Sequence, residues 1–170
     1  MLSPISIGKS IEESSGILIC MPEDEKQFRI ARYVFKSVFA GEVSNRITIL
    51  LTEKNANSFQ QETNARKIVL KKSDIGFWKI PKSGWINDQG FSKYDLTVDL
   101  NTNFCLYSAY LCKKLGNRLL IGFASERSDD FFNIVLELQG VHTNLEKVYR
   151  TIRDEYTNLI PLESLQKIKR

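Results

Sequence analysis

Residues 94–123 hold three successive patterns that predict a strand, a helix and a second strand with little chain between them. In 94–100 the apolar residues take alternate positions, which is typical of a strand. Apolar residues then recur at helical spacing through 104–115, and 118–123 is a second short apolar run. A strand, a helix and a strand within about 30 residues form a βαβ unit, whose strands pair in parallel by a right-handed crossover. The pattern therefore predicts a parallel sheet.

Capping chemistry predicts the two ends of this central helix. Asn101 and Thr102 carry short side-chain oxygens that can accept hydrogen bonds from the free N–H groups at a helix start. Gly116 follows the last apolar position, where a helix end often requires a positive φ. We therefore expect the helix to begin directly after 101–102 and to end at a left-handed glycine.

The remaining apolar patterns place further elements around the βαβ unit. A continuous apolar run such as 17–21 suits a central strand buried on both faces. The predicted strands are 17–21, 46–52, 67–71, 94–100, 118–123 and 131–138. The predicted helices are 23–40, 104–115, 145–156 and a short exposed one at 55–64. The predicted fold is a single Rossmann-like three-layer α/β domain, with a mostly parallel sheet of five or six strands and helices on both faces.

The length of the chain fits one domain. Its 170 residues are enough to bury a core, and 42% hydrophobic with 26% charged residues are values of a globular protein. We expect an N-terminal arm at 1–15, the α/β domain at 16–157 and a helical tail at 158–170. No apolar stretch is long enough for a membrane span.

Cysteine usage and charge limit the partners. The three cysteines lie in apolar runs without ligand spacing, so we expect reduced thiols in a cytoplasmic protein that binds no metal. The net charge of +4 comes from a mixed surface without a block of like charges, which predicts no nucleic-acid partner. Dinucleotide, P-loop and serine-hydrolase motifs are missing from the sequence, and we expect no cofactor.

Three short motifs carry a resemblance to a known family. They are YDLTVDL at 94–100, LG at 115–116, and an Arg followed by GF within 118–123. Over roughly 16–157, the chain resembles the N-terminal domain of the family 9 glycosyltransferases, which are heptosyltransferase-like enzymes. The resemblance implies one half of a two-Rossmann-domain (GT-B) architecture. In that family this half binds the acceptor, and the Asp of a Gly-Asp pair after the first strand acts as the base.

The chain departs from the family at the base. Lys26 and Gln27 stand where the family has Gly-Asp, and an amide cannot take a proton at neutral pH. Asp24 and Glu25 lie nearby, but carboxylates at a helix start are explained by capping and by the helix dipole. The printed sequence ends at Arg170, and we expect the nucleotide-binding half to be missing.

The resemblance implies a non-catalytic binding or interaction module derived from a heptosyltransferase-like N-terminal domain. Two alternatives stay open. One is the acceptor-binding subunit of a split sugar transferase, completed by a second chain. The other is a small-molecule or nucleotide-binding protein that uses the crevice at the strand ends.

The candidate ligand contacts are Gln27, Asp99, Asn101, Trp78 and Trp85. Asp99 ends its strand where open α/β sheets bind ligands, although we favour its acting as a cap of the next helix. The two tryptophans lie in the irregular segment 73–92, which is either a binding wall or, as we favour, a cover whose aromatics join the core.

A homodimer or a partner protein is expected on the strand-end face, with Trp78 or Trp85 near the centre of the contact. The loops expected to flank that face are 22–27, 73–92, 99–103 and 123–130, which carry Trp78, Trp85, Phe123 and Phe131.

Overall fold

The computed structural model describes residues 16–138 and 144–157. The predicted arm at 1–15 and the predicted tail at 158–170 lie outside the described residues.

Six strands and six α-helices make up the described chain. The strands are β1 (Ile17–Cys20), β2 (Ile47–Thr52), β3 (Arg66–Leu70), β4 (Tyr94–Asp99), β5 (Gly116–Phe123) and β6 (Ile134–Leu136). The helices are α1 (Glu25–Val34), α2 (Lys36–Ala40), α3 (Glu53–Ala56), α4 (Ser83–Gln89), α5 (Leu106–Leu115) and α6 (Leu145–Ile152). Short 3₁₀ turns occupy Glu42–Arg46, Lys72–Asp74 and Ser128–Asp130, and a π turn occupies Arg153–Thr157.

The six strands form one parallel sheet, as predicted. Their order is β3-β2-β1-β4-β5-β6. β1 lies in the centre, pairs in parallel with both β2 and β4, and is buried along its whole length. Strand order reverses at the β1–β4 pair, and open α/β sheets form a ligand crevice at the carboxyl ends of such a pair.

Helices cover both faces of the sheet, which confirms the three-layer arrangement. One face packs against α1, α2 and α6 through a cluster that includes Phe28, Phe35 and Tyr149. The other face packs against α4 and α5 through Ile86, Leu111 and their neighbours. Within the described part of the chain, no helix is both long enough and apolar enough to cross a membrane.

The capping predicted for α5 is wrong at both ends, although the helix does end at Leu115 as predicted. The helix begins at Leu106, and its N-cap, Cys105, makes no side-chain capping bond. Asn101 is used in a tertiary contact instead. Gly116 has φ −75°, so no left-handed conformation is needed there. A glycine is required at this position for a steric reason, because a Cβ would lie 2.5 Å from the carbonyl oxygen of Cys112.

Two other helices differ from their predicted extents. The first predicted helix is divided at the buried Phe35, where α1 gives way to α2. The exposed helix predicted at 55–64 is reduced to the single turn of α3. Phe59 follows that turn and is buried against Phe39, with ring centroids 5.7 Å apart.

The segment 73–92 is more regular than its sequence indicates. It contains α4 and a tight turn closed by an antiparallel bridge between Ile75 and Pro81. Trp78 lies at this turn with 76% of its surface exposed, so the interpretation as a core aromatic is wrong for this residue. Trp85 is half-buried and packs against Phe91.

Candidate functional site

A small crevice opens over the carboxyl ends of β1 and β4, the position expected for a ligand in this type of sheet. The loop after β1 supplies Glu23 and Asp24, the first turn of α1 supplies Gln27, and the loop after β4 supplies Asn101, Asn103, Phe104 and Cys105. Its volume is about 260 Å³. A wider cleft of about 590 Å³ adjoins it and lies between residues 104–107 and the turn at 72–79.

The start of α1 forms the acidic wall of the crevice. The Asp24 carboxylate accepts a hydrogen bond from the Gln27 backbone N–H at 2.9 Å and so caps the helix, as expected. Glu23 adds a second carboxylate to the lining, whereas Glu25, in the first turn of α1, pairs with Arg29 and Lys54. An anionic ligand would meet these carboxylates at the end of the helix where backbone N–H groups usually bind phosphate.

Two side-chain amides link the two sides of the crevice. The side-chain oxygen of Gln27 accepts from the backbone N–H of Thr102 at 3.3 Å. The side-chain oxygen of Asn101 accepts from the backbone N–H of Glu23 at 2.8 Å. The structure therefore brings Gln27 and Asn101 together at one site, where both side chains are engaged in hydrogen bonds that link its two sides.

Asp99 lies beneath the crevice in a buried network. One carboxylate oxygen accepts from the Ser108 hydroxyl at 2.6 Å. The other accepts from Asn101, at 3.1 Å from the backbone N–H and 2.8 Å from the side-chain amide. Asp99 binds no backbone N–H of α5, so its predicted role as the cap of that helix is wrong.

Burial changes the acidity of this carboxyl. Desolvation raises the pKa of Asp99 from its usual 3.8 to about 6, although the hydrogen bonds from Ser108 and Asn101 oppose the shift. Asp99 is only 3% exposed. A ligand in the crevice would therefore sense its charge through Asn101 rather than by direct contact.

A second buried amide fixes the loop after β1. The Asn55 side-chain N–H₂ group donates to the carbonyl oxygens of Pro22 at 2.7 Å and Glu23 at 3.3 Å. Asn55 is 2% exposed. Sequence reasoning missed this role, because an asparagine in a polar stretch gives no sign that it is buried.

Sequence reasoning also missed Glu23 and Asn103 as crevice residues. The apolar pattern places Glu23 at the start of the first helix, which begins two residues later, at Glu25. Asn103 belongs to the predicted loop 99–103, and the helix after it begins at Leu106. Both residues fall within loops predicted to flank the strand-end face, 22–27 and 99–103, where functional residues concentrate, but neither is among the candidate contacts predicted from the sequence.

Neither tryptophan lines the crevice. Trp78 lies on the exposed turn beside the wider cleft, and the ring of Trp85 packs 5.9 Å from that of Phe91. Phe123, expected on the strand-end face, is buried in the core, while Phe131 packs against Phe104 with ring centroids 5.6 Å apart. The prediction that places Phe123 on the strand-end face is therefore wrong, whereas Phe131 lies next to Phe104, which lines the crevice.

The chemistry of the crevice is that of amides and carboxylates. Such groups hydrogen-bond to hydroxyl and amine groups of a ligand. Among residues 16–138 and 144–157, no group of three or more His, Cys, Asp or Glu side chains could hold a metal ion.

No protein-family model, curated protein or solved structure gives a significant match to the chain. The resemblance to the family 9 glycosyltransferases accordingly stays a prediction from the quoted motifs, and the crevice is judged by its own chemistry.

Proposed function

We propose that this protein is a non-catalytic binding module, related to a heptosyltransferase-like N-terminal domain, that holds a small polyhydroxylated ligand of the sugar class. The observation that carries the proposal is the lining of the β1–β4 crevice. Asn103 is exposed there beside the carboxylates of Glu23 and Asp24. Amide and carboxylate groups are the usual partners of sugar hydroxyls, and the ring of Phe104 offers an apolar surface on which a sugar face can pack.

Charge favours a neutral or amine-bearing ligand over a nucleotide. The acids at 23–25 lie at the start of α1, and Asp24 already bonds to a free N–H of the helix. A diphosphate would have to displace that carboxylate and approach the carboxylate of Glu23. The nucleotide-binding alternative is therefore the less supported one.

The non-catalytic part of the proposal rests on how the acidic groups are used. Gln27 stands where the resembled family has its base. Asp99 is enclosed by hydrogen bonds from Ser108 and Asn101, and Asp24 caps α1. The carboxylates of Asp99 and Asp24 are thus engaged in structural contacts.

Titration of ¹⁵N-labelled protein followed by NMR would test the proposal. Neutral sugars or amino sugars should shift the backbone amides of 23–27 and 101–105, whereas nucleoside diphosphates should leave these amides unchanged. Asn103→Ala removes one or two ligand hydrogen bonds and should weaken binding by about 3- to 10-fold. Asn87→Ala, on the exposed side of α4, is the matched control and should bind as the wild type does.

Three results would contradict the proposal. They are the absence of crevice shifts with every sugar, crevice shifts with nucleoside diphosphates, and equal affinity of the Asn103→Ala variant. Sugar transfer above a no-protein control, with a panel of donors and acceptors, would overturn the non-catalytic part alone. Self-association through the strand-end face stays a prediction, and sedimentation would test it.

A further inference from the structure

Two neighbouring aromatic side chains project from the tip of the 75–81 turn. Phe77 is 89% exposed and Trp78 is 76% exposed. Their rings touch edge to face, with centroids 5.3 Å apart. Large apolar side chains exposed together usually mark an interaction surface.

Backbone hydrogen bonds hold this turn in one shape. The Gly76 N–H donates to the Ile80 carbonyl at 2.8 Å, and the Lys82 N–H donates to the Asp74 carbonyl at 2.8 Å. Lys79 adopts φ 63°, a left-handed conformation that is unfavourable for a lysine. The turn therefore presents its two rings on a fixed support rather than on a loose loop.

The segment that carries the two rings is positively charged. The segment 71–82 contains four lysines, all exposed: Lys71, Lys72, Lys79 and Lys82. Its only acid is Asp74, so the segment has a net charge of +3, against +4 for the whole chain. An occupant of this surface should accordingly combine an apolar layer with negative charge.

We propose that the segment 71–82 is a membrane-surface anchor, which places Phe77 and Trp78 in the interfacial layer of a bilayer that contains anionic lipid. Aromatic side chains, Trp above all, favour the boundary between headgroups and acyl chains. The surrounding lysines would lie at the depth of the lipid phosphates. A projecting tip suits a deformable layer better than a protein groove, and such docking requires no membrane-spanning helix.

The proposal also assigns an orientation to the protein. Lys72 and Lys79 line the wider cleft that adjoins the crevice. When the turn is docked, this cleft lies next to the bilayer, which would bring a ligand carried by a lipid headgroup within reach. This inference goes beyond the proposed function and does not depend on it, because vesicles alone test it.

Vesicle co-sedimentation provides the first experiment, with phosphatidylcholine vesicles that contain or lack phosphatidylserine. The wild type should bind the anionic vesicles and lose binding as salt is raised. Replacing Phe77 and Trp78 together by Ser should weaken binding at least about tenfold, through loss of the buried apolar area. Lys72→Ala and Lys79→Ala should each weaken it about fivefold.

Controls of the same chemistry exist elsewhere on the surface. Tyr33→Ser removes an aromatic ring that is 63% exposed, and Lys36→Ala removes an exposed lysine on α2. Both variants should bind vesicles as the wild type does. Circular dichroism would establish that every variant is folded.

Fluorescence provides a second, site-specific readout. The chain has two tryptophans, so Trp85→Phe leaves Trp78 as the sole reporter. Its emission should shift to the blue on anionic vesicles and be quenched by brominated lipid. In the otherwise unchanged protein, Trp78→Phe should abolish the shift, which keeps the test available if Trp85→Phe does not fold.

Four results would overturn the anchor. The first is that the Phe77/Trp78 variant binds vesicles as the wild type does, and the second is that the control variants lose binding equally. In the third, the wild type does not bind vesicles, and replacing Phe77 and Trp78 abolishes its binding to a single-stranded oligonucleotide. In the fourth, the wild type does not bind vesicles, and the same replacement converts a dimer into a monomer.

Discussion

Replacing Asp99 by Asn tests the buried network under the crevice. The folded protein binds the Asp99 proton more tightly than the unfolded chain does, because burial raises the pKa of this carboxyl from 3.8 to about 6. This group therefore favours folding at acidic pH. Its contribution is lost as the pH rises through the interval between the two pKa values. Above that interval, the charged form costs about 3 kcal/mol relative to a group without a shift.

The Asn side chain has the shape of the carboxylate and can keep most of its contacts. Its oxygen can accept from the amide of Asn101, as the carboxylate does at 2.8 Å. The Ser108 hydroxyl can turn to the Cys105 carbonyl, which lies 3.1 Å away, and accept from the new N–H₂ group. The main change is the loss of a titrating buried charge.

Urea unfolding of the wild type and the Asp99→Asn variant should be measured between about pH 4 and pH 7.5. The free energy of unfolding of the variant should gain about 2–3 kcal/mol relative to the wild type across this range. Asp88→Asn, on the exposed side of α4, corrects for the removal of one negative charge elsewhere. Parallel profiles for the wild type and Asp99→Asn, or a relative loss by the variant at higher pH, would refute the reasoning.

Two further predictions concern packing. In the Gly122→Ala variant, the Cβ of the new alanine would lie 2.3 Å from the ring of Phe132. Overpacking of this kind should lower the free energy of unfolding by about 2 kcal/mol. Gly84→Ala, with nothing within 4 Å of the new Cβ, is the control, and equal urea midpoints for the two variants would contradict the steric argument. Cys20 and Cys112, both fully buried, should resist alkylation in the native protein and react on unfolding. Mass spectrometry counts the modified thiols, and modification of either in the folded state would be inconsistent with their burial.

The sheet could be predicted because its signals are local. An unbroken apolar run between a glycine and a proline predicts β1, and all four residues of this strand are buried. The strand-helix-strand spacing in 94–123 leaves little choice but a parallel pairing, and β4 does pair with β5 in parallel. In both cases the spacing of the apolar residues and the length of each run were sufficient to predict the strands.

The site was predicted less well because its hydrogen bonds span long stretches of sequence. Asn101 has the chemistry of a helix cap, yet its oxygen binds the N–H of Glu23, 78 residues earlier in the chain. Asn55 binds Pro22 across 33 residues. A side chain that can satisfy a local or a distant partner looks the same in the sequence.

The exposure of Trp78 could not be predicted from the sequence for a different reason. Large aromatics are buried more often than not, so burial was the reasonable expectation for a tryptophan near proline and glycine. The four lysines of 71–82 were counted only in the net charge of the chain. Their nearness to Phe77 and Trp78 in the sequence gains significance only because the structure exposes both rings.

The central position of β1 also implies that its two edges pair at different stages of folding. Ile17 pairs with Ile47 on one side, 30 residues on, and with Leu96 on the other, 79 residues on. Closing the longer loop costs about 0.9 kcal/mol more in chain entropy. β1, β2 and β3 can associate within residues 17–70, whereas β4 must be synthesised before the second edge of β1 is covered. Because the crevice has one wall from each side of the β1–β4 pair, it does not exist before this step, and a crevice ligand would bind only chains that have completed it.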